Sequence, residues 1–195
     1  MIDTRAVPLD PSQFLTQTVA VDGRTALMFN SLAVGSVALA ALLPLGVVAY
    51  WGVVEAGGAG QTMGFTPQLL PHLDLGMRLG AIGISLLAVA PLCWGLLRLR
   101  SCFSQFAQGR PFAARGIGGL RDFAAGMAVS VLAKPISFTL LTLLLSRNAP
   151  AGQRQLAIRL DSDTLVMALF AATIASLAWA MQKAAAIAEE NSQFV

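Results

Sequence analysis

Of 195 residues, 56% are hydrophobic and only 12% charged, and the mean hydropathy is +0.69. That balance excludes an ordinary water-soluble domain and points to the bilayer as solvent. The net charge of +3 comes from cations that flank apolar runs instead of lining one stripe. This argues for membrane orientation and against direct nucleic-acid binding.

Residues 1–24 form a polar N-terminal segment in which Pro8 and Pro11 interrupt any early helix. Phe14, Leu15, Val19 and Val21 suggest a short interfacial helix over 14–24. A four-span membrane domain over 25–181 follows, then a polar tail over 182–195 carrying Lys183, Glu189 and Glu190. The first apolar run is longer than the h-region of a cleavable signal peptide, so it reads as a retained span over 32–54. Pro44 is expected to bend it, and Tyr50 and Trp51 fall where an interfacial aromatic belt is expected. The Gly- and Pro-rich stretch 55–75 reads as a loop.

Span two covers 76–97, with Gly76, Gly80 and Gly83 near one face for close helix approach and Pro91 as a second bend. Simple helix packing is the plainer reading of that pattern. Helical periodicity continues through Phe103 and Phe106 to Gly109, which suits a left-handed cap. Pro111 cannot extend the helix, so the next begins near Ala113, with Phe112 placed to staple the corner. Span three covers 123–145 and contains Lys134 and Pro135. In the following loop Leu156, Ile158 and Leu160 alternate with polar or small residues, suggesting a short strand that pairs with 63–70 as a small β cap. Span four covers 164–181, with Ala168, Ala172 and Ser176 repeating every four residues as a helix-packing surface.

The expected fold is therefore an all-α membrane protein of two antiparallel hairpins. The turn joining them carries Arg98, Arg100, Arg110, Arg115 and Arg121. With Arg5, Arg24 and Lys183, that side outweighs Arg78, Arg147, Arg154 and Arg159 opposite, which places both termini in the cytoplasm.

The run FAQGRPFAARGIGGLRDFA, with Phe106, Gly109, Pro111, Phe112 and Arg121, resembles the central signature of a bacterial membrane family. That family is catalogued as a domain of unknown function, number twenty-nine seventy-five. The tail AAAIAEENSQFV resembles its closing pattern, and the likeness covers 32–195. The resemblance implies four helices in a bacterial cytoplasmic membrane and supplies no catalytic residue. It also hints at a cytoplasmic regulator as partner, since members look like neighbours of small helix-turn-helix regulators.

Lys134 is the most informative side chain. It lies twelve residues beyond Asp122, about 18 Å along a helix, where a charge costs about 2.5 to 3.5 kcal/mol on insertion scales. Candidate partners are Asn30, Ser130, Ser137, carbonyls released by Pro44, Pro91 or Pro135, water and an anionic ligand. The plain reading is a structural or snorkelling lysine; the functional one is a ligand, ion or partner site at Lys134, Pro135, Ser130 and Asn30. His72 beside Asp74 reads as loop hydrogen bonding, and Ser130, Ser137, Thr139 and Thr142 as bonding back to helix carbonyls or to neighbouring helices. Cys93 and Cys102 have neither framework nor metal spacing. The arginines of the turn satisfy the topology rule and also suit anionic lipid or a protein partner.

No cofactor and no enzymatic activity are expected, because no serine, histidine and carboxylate are arranged for catalysis. The expected role is interaction, as a sensor, regulator or accessory subunit working with a membrane partner or a second copy. The alternative is a small oligomeric transporter or channel with Lys134 on a polar path.

Overall fold

The computed structural model describes residues 22–54, 74–148 and 161–192. It contains α1 (Gly23–Val53), α2 (Leu75–Ala107), α3 (Ala114–Leu145) and α4 (Ser162–Ser192), and a short 3-10 turn, Ser146–Asn148, continues α3. All four long helices are apolar enough to cross a membrane, and no strand occurs among the described residues. The anticipated segments at 63–70 and 156–160 lie outside the described residues, as do His72 and all of the anticipated interfacial helix over 14–24 up to residue 21, while Gly23 and Arg24 open α1.

The helices hold 31 to 33 residues each, or close to 50 Å, against a hydrocarbon core of about 30 Å. Each therefore extends beyond its expected span. α1 starts at Gly23 instead of 32, and α2 continues to Ala107. α3 starts at Ala114, and α4 continues through the acidic tail to Ser192. Pro44, Pro91 and Pro135 all sit within these helices.

The turn after α2 forms as its sequence anticipates. Gly109 takes φ 70, the left-handed conformation that a Cβ disfavours. Its N–H donates to the Phe106 carbonyl (3.0 Å), and the Arg110 N–H donates to Gln105 (3.0 Å), the paired bonds of a Schellman cap. Pro111 and Phe112 complete the turn, and Ala113 caps α3.

Packing follows chain order: α1 lies on α2, α2 on α3 and α3 on α4, with the α2–α3 contact the most extensive. α1 and α2 run antiparallel, since Phe29 meets Phe106 at one end and Trp51 meets Ser85 towards the other. α2 and α3 approach until backbone touches backbone. A Cβ on Gly126 would collide with the Pro91 carbonyl and lie 3.1 Å from Gly95 Cα; one on Gly95 would lie 3.1 Å from Phe123 Cα. A Cβ on Gly119 would strike the Arg98 carbonyl and the Ser101 hydroxyl. Ser130 completes this line by donating to the Ala88 carbonyl, 2.5 Å away.

The expected glycine face is only partly used. Gly80 lies against Leu144, Gly83 faces open space, and a Cβ on Gly76 would touch nothing beyond the nearby Asp74 carboxylate. On α4, Ala168, Ala172 and Ser176 are exposed, and the buried positions are Thr164, Ala171 and Ala178. The physical reason is angular. A repeat of four advances about 40° round a helix at each step, whereas a repeat of seven drifts only about 20° and stays on one neighbour.

Small residues fill the interior while large ones point out. Ala33, Ala40, Ala81, Ala124, Ala171 and Ala178 are buried; Leu27, Val34, Leu45, Leu132, Leu169 and Phe170 are exposed. This inversion suits a bilayer, where lipid solvates leucine as well as protein does and association depends on close packing. A cluster of larger buried groups, Trp51, Leu141 and Leu145 around Ala81, lies at the end opposite the arginine turn.

The seam yields a direct contrast. Gly126→Val is expected to lower stability by about 1 to 3 kcal/mol, because backbone must move to admit the side chain. Gly83→Ala should leave the unfolding midpoint equal or slightly higher. Thermal unfolding of both variants in one detergent measures the difference.

Candidate functional site

Lys134 stands on α3 midway along a stretch that carries no other charge from Phe123 to Ser146. Its Nζ donates to Asp163 Oδ2 at 2.8 Å. Asp163 belongs to the first turn of α4, whose amides favour a carboxylate there. The Thr164 and Leu165 N–H groups close that turn on the Asp161 carbonyl. The ion pair therefore brings the beginning of α4 alongside the middle of that uncharged stretch, about two-thirds of the way along α3. Both charges remain open on the outside of the helix row, the lysine side chain 44% and the aspartate 68% exposed.

Asp163 is not among the partners expected for Lys134. Asn30 is exposed and follows Phe29, which packs on Phe106 at the arginine-turn end of the row. Ser130 is engaged with Ala88, and the Pro135 carbonyl accepts from Thr139 Oγ1 at 2.9 Å. Ser137, one turn beyond Lys134, is only 4% exposed, and its hydroxyl has no partner among the described residues. Thr142 bonds back to the Thr139 carbonyl at 2.7 Å, as mid-helix hydroxyls commonly do.

A second polar arrangement holds the opposite end. Arg78 of α2 donates to the carbonyls of Trp51 (2.7 Å) and Gly52 (2.9 Å), satisfying acceptors that the end of α1 leaves open. The Trp51 indole N–H donates to Ser85 Oγ at 3.0 Å. An apolar hollow of about 490 Å³ opens beside this pair, bordered by Leu43, Val47 and Leu141.

In the arginine turn, Asp122 receives Arg98 at 3.4 Å and Arg121 at 3.8 Å. Arg98 also lies 5.6 Å above the Trp94 ring. Arg100, Arg110 and Arg115 are exposed. Phe112 is exposed as well, while the aromatic contact that ties α1 to this end is Phe106 against Phe29, edge to face at 5.5 Å. Both cysteines are free thiols, Cys102 buried and Cys93 partly so. Among the described residues no group of three His, Cys, Asp or Glu side chains is placed to hold a metal ion.

Sequence reasoning missed Asp163 because it stops one residue before the apolar run of span four. Its signal was the first-turn carboxylate that opens a helix. Gly119 and Gly126 lie seven residues apart, a spacing that keeps them on one face without saying which neighbour uses it. Comparison of the chain with protein-family models, curated proteins and solved structures gives no match. The four long apolar helices are those of a multi-pass membrane protein.

A double-mutant cycle tests the ion pair. Asp163→Asn leaves the lysine charge alone and should cost up to about 3 kcal/mol, the scale of inserting an isolated central lysine. Lys134→Met with Asp163→Asn should recover most of that loss, because no unpaired charge remains. Unfolding of the two single variants and the double variant supplies the coupling.

Proposed function

We propose that the chain is a non-enzymatic inner-membrane protein of bacterial type. It works by interaction, with both termini in the cytoplasm and two helical hairpins joined at the arginine turn. Arg24, Arg98, Arg100, Arg110, Arg115, Arg121 and Lys183 at one end, against Arg78 and Arg147 at the other, support that orientation.

The observation that carries the reading is the open Lys134–Asp163 pair. Lys134 is twelve residues from Asp122 and thirteen from Arg147, so about 18 to 20 Å of helix separates it from each charged boundary. Lipid solvates neither ion there, and charges at that depth face protein or water. A membrane partner or second copy that covers this face of α3 and α4 satisfies the constraint. A sensor, a regulator that passes a signal to a cytoplasmic factor and an accessory subunit of a larger complex all need such a face.

A second reading has one observation of its own. Ser130, Lys134 and Ser137 fall at i, i+4 and i+7 on α3, one helix face, and the Ser137 hydroxyl has no partner among the described residues. Such a polar line suits a small oligomeric transporter or channel in which the lysine borders a wet path.

Native mass measurement in mild detergent separates these readings. The interaction reading expects a complex that the Lys134→Met/Asp163→Asn double variant disperses to single chains while remaining folded. The channel reading expects a symmetric oligomer whose ion flux in vesicles changes with Lys134→Met. Single chains for both proteins, with no flux, contradict both.

A further inference from the structure

Between the last turns of α2 and the first turns of α3 lies a hollow of about 610 Å³. It exists because the α3 wall is glycine: a Cβ placed on Gly118 would meet nothing within 4 Å. Arg98, Arg100, Arg115 and Asp122 line it, with Leu97 at its rim. The carboxylate is already committed to Arg98 and Arg121. Arg100 and Arg115 have no acidic partner among the described residues, so two guanidinium groups face one cavity from adjacent helices.

The depth of this hollow is as informative as its charge. Arg98 follows Arg78 by twenty residues, about 30 Å of helix, one hydrocarbon thickness. Arg78 caps α1 at the far end, so Arg98 falls at the opposite head-group level. Trp94, one turn nearer the membrane middle, is exposed, and so is Leu97. An interfacial tryptophan and an exposed leucine thus flank the cationic hollow on its apolar side.

We propose that this hollow binds the phosphate of an anionic phospholipid, held between Arg100 and Arg115, with the acyl chains passing Leu97 and Trp94. Guanidinium groups pair with phosphate oxygens in bidentate fashion, and the missing side chain at Gly118 makes room for the head group. The proposal rests on the reading that the turn lies at a membrane surface. Reaction of an Arg110→Cys variant with an impermeant thiol reagent, in a Cys93→Ala/Cys102→Ala background, reports that separately.

The test uses the full chain in mild detergent, stripped of lipid and titrated with short-chain phosphatidylglycerol, phosphatidylcholine or inorganic phosphate. Binding is read as the shift of the thermal unfolding midpoint. Phosphatidylglycerol is expected to raise the midpoint and phosphatidylcholine to leave it unchanged. Arg100→Gln with Arg115→Gln should weaken phosphatidylglycerol binding about thirtyfold, on a scale of one interfacial cation each. Gly118→Leu fills the cavity with every charge intact and should abolish the shift, while its lipid-free midpoint stays at the wild-type value. Equal responses of wild type and both variants overturn the site. An equal response to inorganic phosphate overturns the lipid as its ligand.

Discussion

Backbone contact between α2 and α3 sets the position of nearly everything else in this protein. At Gly126 there is no room for a single added carbon, one on Gly95 would press on the Phe123 backbone at 3.1 Å, and Gly119 again leaves no room one step nearer the turn. Two helices held this closely gain many weak contacts along their length, which is what drives association where no hydrophobic effect operates between helices. The Gly109 cap fixes how the chain enters this seam, and Ser130 bonded to Ala88 fixes its register further along. α1 joins through Phe29 and Phe106 at one end and through Trp51, Ser85 and Arg78 at the other.

α4 is held differently. It touches α3 through the small buried residues Thr164, Ala171 and Ala178, and its first turn is tied by Asp163 to Lys134. The exposed apolar groups of α4 fall on two sides, Leu165 and Leu169 turned away from Asp163 and Val166, Phe170 and Leu177 on its own side. Among the described residues α4 packs chiefly on α3, through a small-residue contact and an open ion pair at one end, so its own described helices cover it incompletely. Lipid suits the leucines of that surface and does not suit the charges, so the ion pair separates a covered face from an ordinary lipid-facing one.

The four long helices were legible because span length follows directly from bilayer thickness, and the turn after α2 because proline and glycine stereochemistry set it. GRPF gave the turn correctly, since the left-handed glycine and the proline are both local constraints. The pairing of Lys134 was not legible, because it depends on how far α4 is displaced along α3, and no local signal sets that displacement. For the same reason Gly83 was overvalued and Gly126 missed: spacing identifies a face, but only the neighbouring helix decides which face is used. Arg78 was read as one charge on the lighter side of the topology count, although its guanidinium closes the end of α1.

The central claim is that the α3–α4 face around the ion pair is covered in the membrane. Nitroxide labels at Val166→Cys and Phe170→Cys, on the same side of α4 as Asp163, measure this through collision with oxygen dissolved in the bilayer. Leu45→Cys on exposed α1 serves as the lipid-facing reference. The account predicts low oxygen accessibility at 166 and 170 in native membranes, well below that at 45. Equal, high accessibility at all three positions would contradict it, leaving the charges of Lys134 and Asp163 facing lipid with only each other.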